Sequence, residues 1–398
     1  MIRSFLSKKS PLHTEKSRRF SVRCLLFAAA ALLFFLWAVR INRVEKTPLV
    51  NTEGRSFEKA VVTRILSDNL EEDGTRVGQQ ELVVRMTTGA LKGQEVETTS
   101  SAGYLFGAAC TVGMHVIVIQ SVAGTDQITT VYAQDREMTL GFFVLLYLAL
   151  LVLIGGKQGL KGALGLVFDF FGIIFLYLPL IYTGRPPIPT AVLLCAVLTA
   201  VTMLLIGGFT RKALIASLGT IAGVASAALM ALWMSRATGL SGWNISIIES
   251  LLDLWYTDDI QVGGLLFAGI LISALGAVMD VAMSLTSAMQ EITEQNPAIS
   301  RRELIRAGLR IGRDMMGTDS NTLILAFSGG SLPTLVLDYA YDLPWRQIIN
   351  SNSIGLSILQ GLAGSFGVVL CVPLTAVLAG AVLRPGKAEA GAEAAAER

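Results

Sequence analysis

Asp280 is a carboxylate inside the apolar run 261–285. In lipid such a charge costs roughly 2.5–3.5 kcal/mol, so it must face protein or water. Asp280, Ser284, Ser287 and Glu291 recur at i, i+4, i+7 and i+11, one face of a helix. Val278, Val281, Leu285 and Met289 fall on the other side. A polar stripe leading out of an apolar span has the chemistry of an ion or proton path. It equally has the chemistry of interhelical hydrogen bonds that lock a bundle, and both readings stand here.

A second set follows. Arg310, Asp314, Thr318 and Asn321 keep helical spacing if the helix runs through Gly317. Arg310 stands four residues before Asp314, the spacing of an ion pair. Residues 300–316 read as an amphipathic helix, with Leu304, Leu309, Ile311 and Met315 against Arg301, Arg302, Arg306 and Arg313. Its arginines suit an anionic membrane face. Thr318, Asp319 and Ser320 have the side chains of helix N-caps. Asp319, Asn321 and Thr322 then open an apolar run at 319–337. With both groups near the inner ends of their spans, Asp280 is expected to meet Thr318, Asn321 and Thr322. In Ser328-Gly329-Gly330-Ser331-Leu332-Pro333, Gly329, Gly330 and Pro333 are helix breakers. Breaks at membrane depth line cavities in transporters or are simple kinks. Pro373 punctuates the last run, where Gly364 and Gly367 offer a packing face. Asp169, shallow in its span, is expected to be structural, either snorkelling or pairing with Lys161 or Lys157.

The elements that position these residues follow from composition. The 398 residues are 53% hydrophobic and only 16% charged, with a mean hydropathy of +0.59. Soluble domains carry about a quarter charged residues, so a soluble enzyme, a disordered chain and a coiled coil are excluded. A spanning helix needs about 20 apolar residues. Eight stretches approach this: 21–39, 138–154, 163–183, 190–208, 213–234, 261–285, 319–337 and 353–383. The first reads as a retained signal anchor, because its apolar run continues past the small residues Ala28 to Ala31. Residues 1–20 form a basic cytoplasmic N-terminus. The inner loops carry Lys157 and Lys161, Arg211 and Lys212, a run of arginines from Arg301 to Arg313, then Arg384 and Lys387. Each short outer loop holds one cation: Arg185, Arg236 or Arg346. This asymmetry puts both termini in the cytoplasm.

Residues 40–137 are polar and fall outside the membrane in this scheme. Runs 57–66, 80–88, 94–99, 114–121 and 127–133 have strand character. Leu82, Val84 and Met86 alternate with Val83, Arg85 and Thr87, and glycines separate the runs. Five strands in about 80 residues fit a small OB-like or SH3-like barrel. It reads as a spacer or docking module, and it lacks the basic-aromatic platform of a nucleic-acid binder. The fold class is therefore an α-helical polytopic membrane protein, its helical part at 138–384, with an inserted extracytoplasmic β-barrel. The Ala/Glu/Gly tail at 385–398 cannot build a core and is expected to be disordered in the cytoplasm.

Enzyme signatures are absent. There are two histidines and four cysteines with no C-x-x-C, which argues against disulfides, structural zinc and histidine triads. No H-E-x-x-H, served G-x-S-x-G or nucleotide loop occurs. No metal or cofactor is expected, and the lipid bilayer is the one certain partner.

The segments Gly276-Ala277-Val278-Met279-Asp280-Val281-Ala282-Met283-Ser284 and Gly312-Arg313-Asp314-Met315-Met316-Gly317-Thr318 resemble the signature of the YibE/F family. So do Asn321 to Phe327, Ser331-Leu332-Pro333, and Leu91-Lys92-Gly93-Gln94 in the polar domain. The likeness runs from about Gly93 to Pro373. It implies a bacterial multi-pass cell-membrane protein. Two places depart from the family pattern: Asp319, and the lack of an acidic residue between Ser353 and Ser357. Two functions are carried forward: an ion-coupled transporter whose candidate path is the Asp280 stripe with Asp314, Thr318, Asp319, Asn321 and Thr322, and an accessory protein whose outer domain docks a partner.

Overall fold

The computed structural model describes residues 39–42, 55–72, 75–101, 107–123, 126–244, 248–249 and 260–383. The expected anchor 21–39, except Val39, lies outside these residues, as do the basic N-terminus and the tail. Contacts divide the chain into two units, Lys46–Ile154 and Met1–Glu45 with Gly155–Arg398.

The first unit holds five strands: β1 (Arg55–Ser67), β2 (Gln79–Met86), β3 (Glu95–Ser101), β4 (His115–Ala123) and β5 (Asp126–Gln134). They close into a barrel in the order β1-β2-β3-β5-β4. All neighbours are antiparallel except β3 and β5, which meet in parallel at Thr99 and Thr130. Strand β1 pairs with both β2 and β4, and irregularities after Val62 and Ile65 curve it. The alternation expected in β2 sends Leu82, Val84 and Met86 into a core with Ala60, Val62, Val116, Val118 and Val131.

The second unit is helical. Helix α1 (Glu137–Tyr182) starts in the barrel unit and is followed by α2 (Pro187–Gly207) and α3 (Arg211–Thr238). Then come α4 (Leu265–Gln295), α5 (Arg301–Gly330), α6 (Leu332–Ala340), α7 (Trp345–Ile349) and α8 (Asn352–Val382). Among the described residues five helices are long and apolar enough to cross a membrane, or six if the bent α5–α6 pair is one span. This is a helical membrane part. The stretches 138–154 and 163–183 both lie on α1, which Gly156 interrupts with φ 54° and ψ −132°.

Three sequence expectations are corrected. No cap forms at Thr318, Asp319 or Ser320, because α5 is already helical there. Its N-cap is Ser300, in a reciprocal capping box with Glu303. Pro373 does not break α8, which runs through it. Proline removes one backbone hydrogen bond, and buried Cys371, Val372, Thr375 and Ala376 hold the segment in place around it. Asp169 pairs with no lysine; it accepts a hydrogen bond from Thr202 at 3.1 Å.

Small residues bring the helices together. A Cβ on Gly223 of α3 would lie 2.5 Å from Val278 on α4 and 2.9 Å from Cys371 on α8. The basic loops converge on one end of the bundle. There Gln158 bonds the Ile206 carbonyl at 3.2 Å, and Gly380 of α8 lies against Arg301. At the opposite end Gln261 reaches the Gly184 carbonyl, and Asn42 bonds the Phe175 carbonyl.

Candidate functional site

Helices α4 and α5 form an antiparallel hairpin. Gly308 on α5 is its close-contact point with α4, and Gly312, one turn on, brings α5 against α8. A Cβ at Gly308 would lie 2.5 Å from the Met289 sulfur, and one at Gly312 would lie 2.2 Å from Val372. Leu304 and Leu323 are buried along the same helix. On α4 the buried side is Val278, Val281, Leu285 and Met289, the face opposite the polar stripe. The buried sides press together and leave polar side chains at the α4–α5 seam.

There a groove of about 400 Å³ is lined by Asp280 and Ser284 from α4 and by Asp314, Met315, Thr318 and Asp319 from α5. Among the described residues none of the three carboxylates has an ion-pair or hydrogen-bond partner. The Thr318 hydroxyl donates to the Asp314 carbonyl at 3.4 Å, leaving its lone pairs free. The polar groups of the groove are thus all oxygens, beside the Met315 thioether. No three of the described carboxyl, imidazole or thiol groups are placed to hold a metal ion together.

The structure brings together five of the nine residues singled out for the path: Asp280, Ser284, Asp314, Thr318 and Asp319. The other four stand apart. Ser287 donates to the Met283 carbonyl of its own helix at 2.6 Å. Glu291 accepts from Gln295. Thr322 donates to Thr318 within α5, and Asn321 is exposed outside the groove lining. The Arg310–Asp314 ion pair does not form. The meeting point also differs from the expected one near the helix ends. Because α4 runs on to Gln295 and α5 starts at Arg301, Asp280 lies about 22 Å from the end of α4 at 1.5 Å per residue.

Gly329, Gly330 and Pro333 sit where α5 ends and α6 begins, across a bend of 57°. A cleft of about 150 Å³ at the bend is lined by Ser328, Ser331 and Ser357 among apolar neighbours. The Ser331 hydroxyl donates to the Ser357 hydroxyl. Ser357 donates to the Ser353 carbonyl at 3.0 Å. These hydroxyls stitch α5 to α8, and Ser365 adds a bond to the Ser320 carbonyl at 3.3 Å. Thr202 and Ser365 were not anticipated, since each joins residues far apart in the chain.

No curated protein and no solved structure matches the chain. A family model described as YibE/F-like protein matches residues 143–385. The matched region starts in α1, beyond the barrel and its Leu91-Lys92-Gly93-Gln94 segment. It takes in α2 to α8, with Asp280 and the α5 motif, and covers more than half of the sequence, so the chain belongs to the YibE/F-like protein family.

Proposed function

We propose that the protein is a multi-pass transporter of the bacterial cell membrane that passes a proton or small cation along the α4–α5 groove. The observation that carries this reading is the groove itself: Asp280, Asp314 and Asp319 share it without a neutralising partner among the described residues. Three unpaired carboxylates in a concave site attract cations by their summed field. Carboxylate and hydroxyl oxygens as the polar lining suit protons and hard cations. The bent α5–α6 pair supports the reading, since interrupted helices are a transporter device.

The proposal includes eight spans, both termini in the cytoplasm and the barrel outside. The convergence of the basic loops on one end of the bundle supports this orientation. A cysteine placed at Gly74 is expected to react with an impermeant thiol reagent in whole cells, and one at Gln295 is not. The reverse pattern overturns the orientation. For transport, proton and cation flux is measured in proteoliposomes. Asp280→Asn is expected to abolish flux at unchanged protein level; wild-type flux in this variant sinks the reading.

The second reading, an accessory protein that docks a partner, has its own supporting observation. Exposed Phe57 and Tyr132 meet edge-to-face at 5.4 Å on the barrel surface. If docking is the function, Phe57→Ala with Tyr132→Ala abolishes the cellular phenotype while Asp280→Asn does not. Neither reading makes the protein an enzyme.

A further inference from the structure

A second cavity, of about 300 Å³, lies at the basic end of the bundle. It is lined by Arg211 and Lys212 at the start of α3, by Gln290, Thr293 and Glu294 near the end of α4, and by Leu383 after α8. It shares no residue with the carboxylate groove, and nothing in the transport reading uses it.

Its polar groups divide into two sets. Arg211 and Lys212 have no acidic partner among the described residues. The Thr210 hydroxyl is engaged, accepting from the Ala213 amide and donating to the Gly207 carbonyl. Thr293 likewise donates to Met289 of its own helix. The two cations are therefore the donors that the cavity offers. The second set consists of acceptors. Gln290 donates its amide to Glu294 at 2.7 Å, which fixes the amide's orientation. That leaves Gln290 Oε1 buried with no donor, an arrangement that costs free energy unless a donor arrives. Glu294 adds a carboxylate beside it. One cavity thus holds a cationic pair and, on the facing helix, a carboxylate beside Gln290, whose buried carbonyl oxygen has no donor.

We infer that this cavity binds the head group of a phospholipid carrying both a phosphodiester and a primary ammonium, as in phosphatidylethanolamine. The guanidinium fork of Arg211 and the ammonium of Lys212 take the phosphate. The lipid ammonium gives Glu294 a cationic partner and brings a donor beside the unpaired Gln290 Oε1. A purely anionic head group satisfies the first set and leaves the second unpaired against a like charge. The surroundings favour a lipid over a soluble phosphate ester. Arg211, Leu214 and Leu218 fall at i, i+3 and i+7 on one face of α3. Leu214, Leu218 and the neighbouring Phe209 are exposed apolar side chains, a continuous track for acyl chains below the charged site. Basic pockets between spans are a known way of holding lipid head groups.

The test uses the full-length protein in nanodiscs or mild detergent, with bound lipid counted by native mass spectrometry. The probes are phosphatidylethanolamine, phosphatidylglycerol, phosphatidylcholine and soluble O-phosphoethanolamine. Phosphatidylethanolamine is expected to exceed the other lipids at least fivefold. Arg211→Gln with Lys212→Gln lowers its occupancy at least tenfold, and Lys212→Gln alone serves if the double variant does not fold. Glu294→Gln erases the preference for phosphatidylethanolamine over phosphatidylglycerol while leaving total lipid bound. Unchanged occupancy in the cation variants overturns the site, and an unchanged preference in Glu294→Gln overturns the ammonium assignment. Displacement by equimolar soluble O-phosphoethanolamine assigns the site to a soluble ester and overturns the lipid.

Discussion

The barrel and the helical unit each contain a polar cluster, and the two are built in opposite ways. In the barrel, Gln80 is fully buried. Its amide donates to Asp68 and to the Cys110 carbonyl, and its oxygen accepts from the Cys110 amide at 2.8 Å. Arg76 closes the cluster on Asp68 at 2.7 Å and on Asn69. In the α4–α5 groove, Asp280, Asp314 and Asp319 share a cavity and have no partner among the described residues. A cluster that consumes its own hydrogen bonds is architecture, since loss of any member strands the rest. A cluster that leaves its charges open has capacity for something that arrives. The contrast separates a closed cluster from an open one without reference to sequence position.

The largest expected effect falls on the closed cluster. Gln80→Leu removes the partner of a buried amide and a buried carbonyl at Cys110. Each stranded group costs about 1–3 kcal/mol. Urea denaturation of the barrel unit is expected to show a fall of about 2–5 kcal/mol. A loss below about 1 kcal/mol breaks the comparison from the barrel side.

The next effect is on the face of α4 opposite the groove. Gly223→Ala places a Cβ 2.5 Å from Val278 and 2.9 Å from Cys371. Overpacking of this kind costs about 1–3 kcal/mol. The melting temperature of the purified protein in detergent should fall, whereas Gly276→Ala, with nothing within 4 Å of its new carbon, should leave it unchanged. Equal melting of both variants removes the distinction between the two sides of α4.

A smaller effect is the acid response of the barrel. The Gln80 amide, then Arg76, holds the Asp68 carboxyl below its ordinary value of 3.8. The Glu137 backbone amide, then Lys59, does the same for Asp135. A carboxylate whose folded pKa is depressed contributes stability above its unfolded pKa. That contribution is lost as pH falls through the folded pKa. The barrel should therefore lose stability from about pH 4 downward. Asp68→Asn and Asp135→Asn should each flatten that slope in urea titrations at pH 6 to pH 3. An unchanged slope shows that these pairs contribute nothing.

Much of this contrast was legible in the sequence. The period-two pattern located the strands closely: the run 80–88 became Gln79–Met86. It also carried an unused signal, since Gln80 shares the inward phase of Leu82, Val84 and Met86. The stripe through Asp280 and Ser284 was readable because helical spacing is local. The helix expected at 300–316 is there, but its expected separation from the span at 319–337 is not, for a physical reason. Hydropathy divides at about Asn321, where the chain turns apolar, but the helix continues across that boundary. The marker of its true start, Ser300 with Glu303 three residues on, was present in the sequence. The Thr202 partner of Asp169 was not legible, because that bond depends on how α1 and α2 pack. Nor was the parting of Asn321 and Thr322 from the groove, which depends on how α5 packs against α4 and α8.

The smallest expected effect tests the open cluster. Asp280 is exposed at the seam and accepts no hydrogen bond from the described residues. Replacing it with Asn strands no partner and creates no cavity, so the usual causes of large destabilisation do not apply. Asp314 and Asp319 lie in the same groove, and removing one of three like charges relieves repulsion. The melting temperature of Asp280→Asn should match the wild type within the equivalent of about 0.5 kcal/mol, or rise slightly. Asp280→Ala should behave the same way, because no neighbour relies on the carboxylate. This null effect on folding, set beside abolished flux, is the signature of a residue kept for what passes it. If Asp280→Ala instead loses folded protein while Asp280→Asn keeps full function, the carboxylate belongs with Gln80 among the structural groups. The distinction between the two clusters would then collapse.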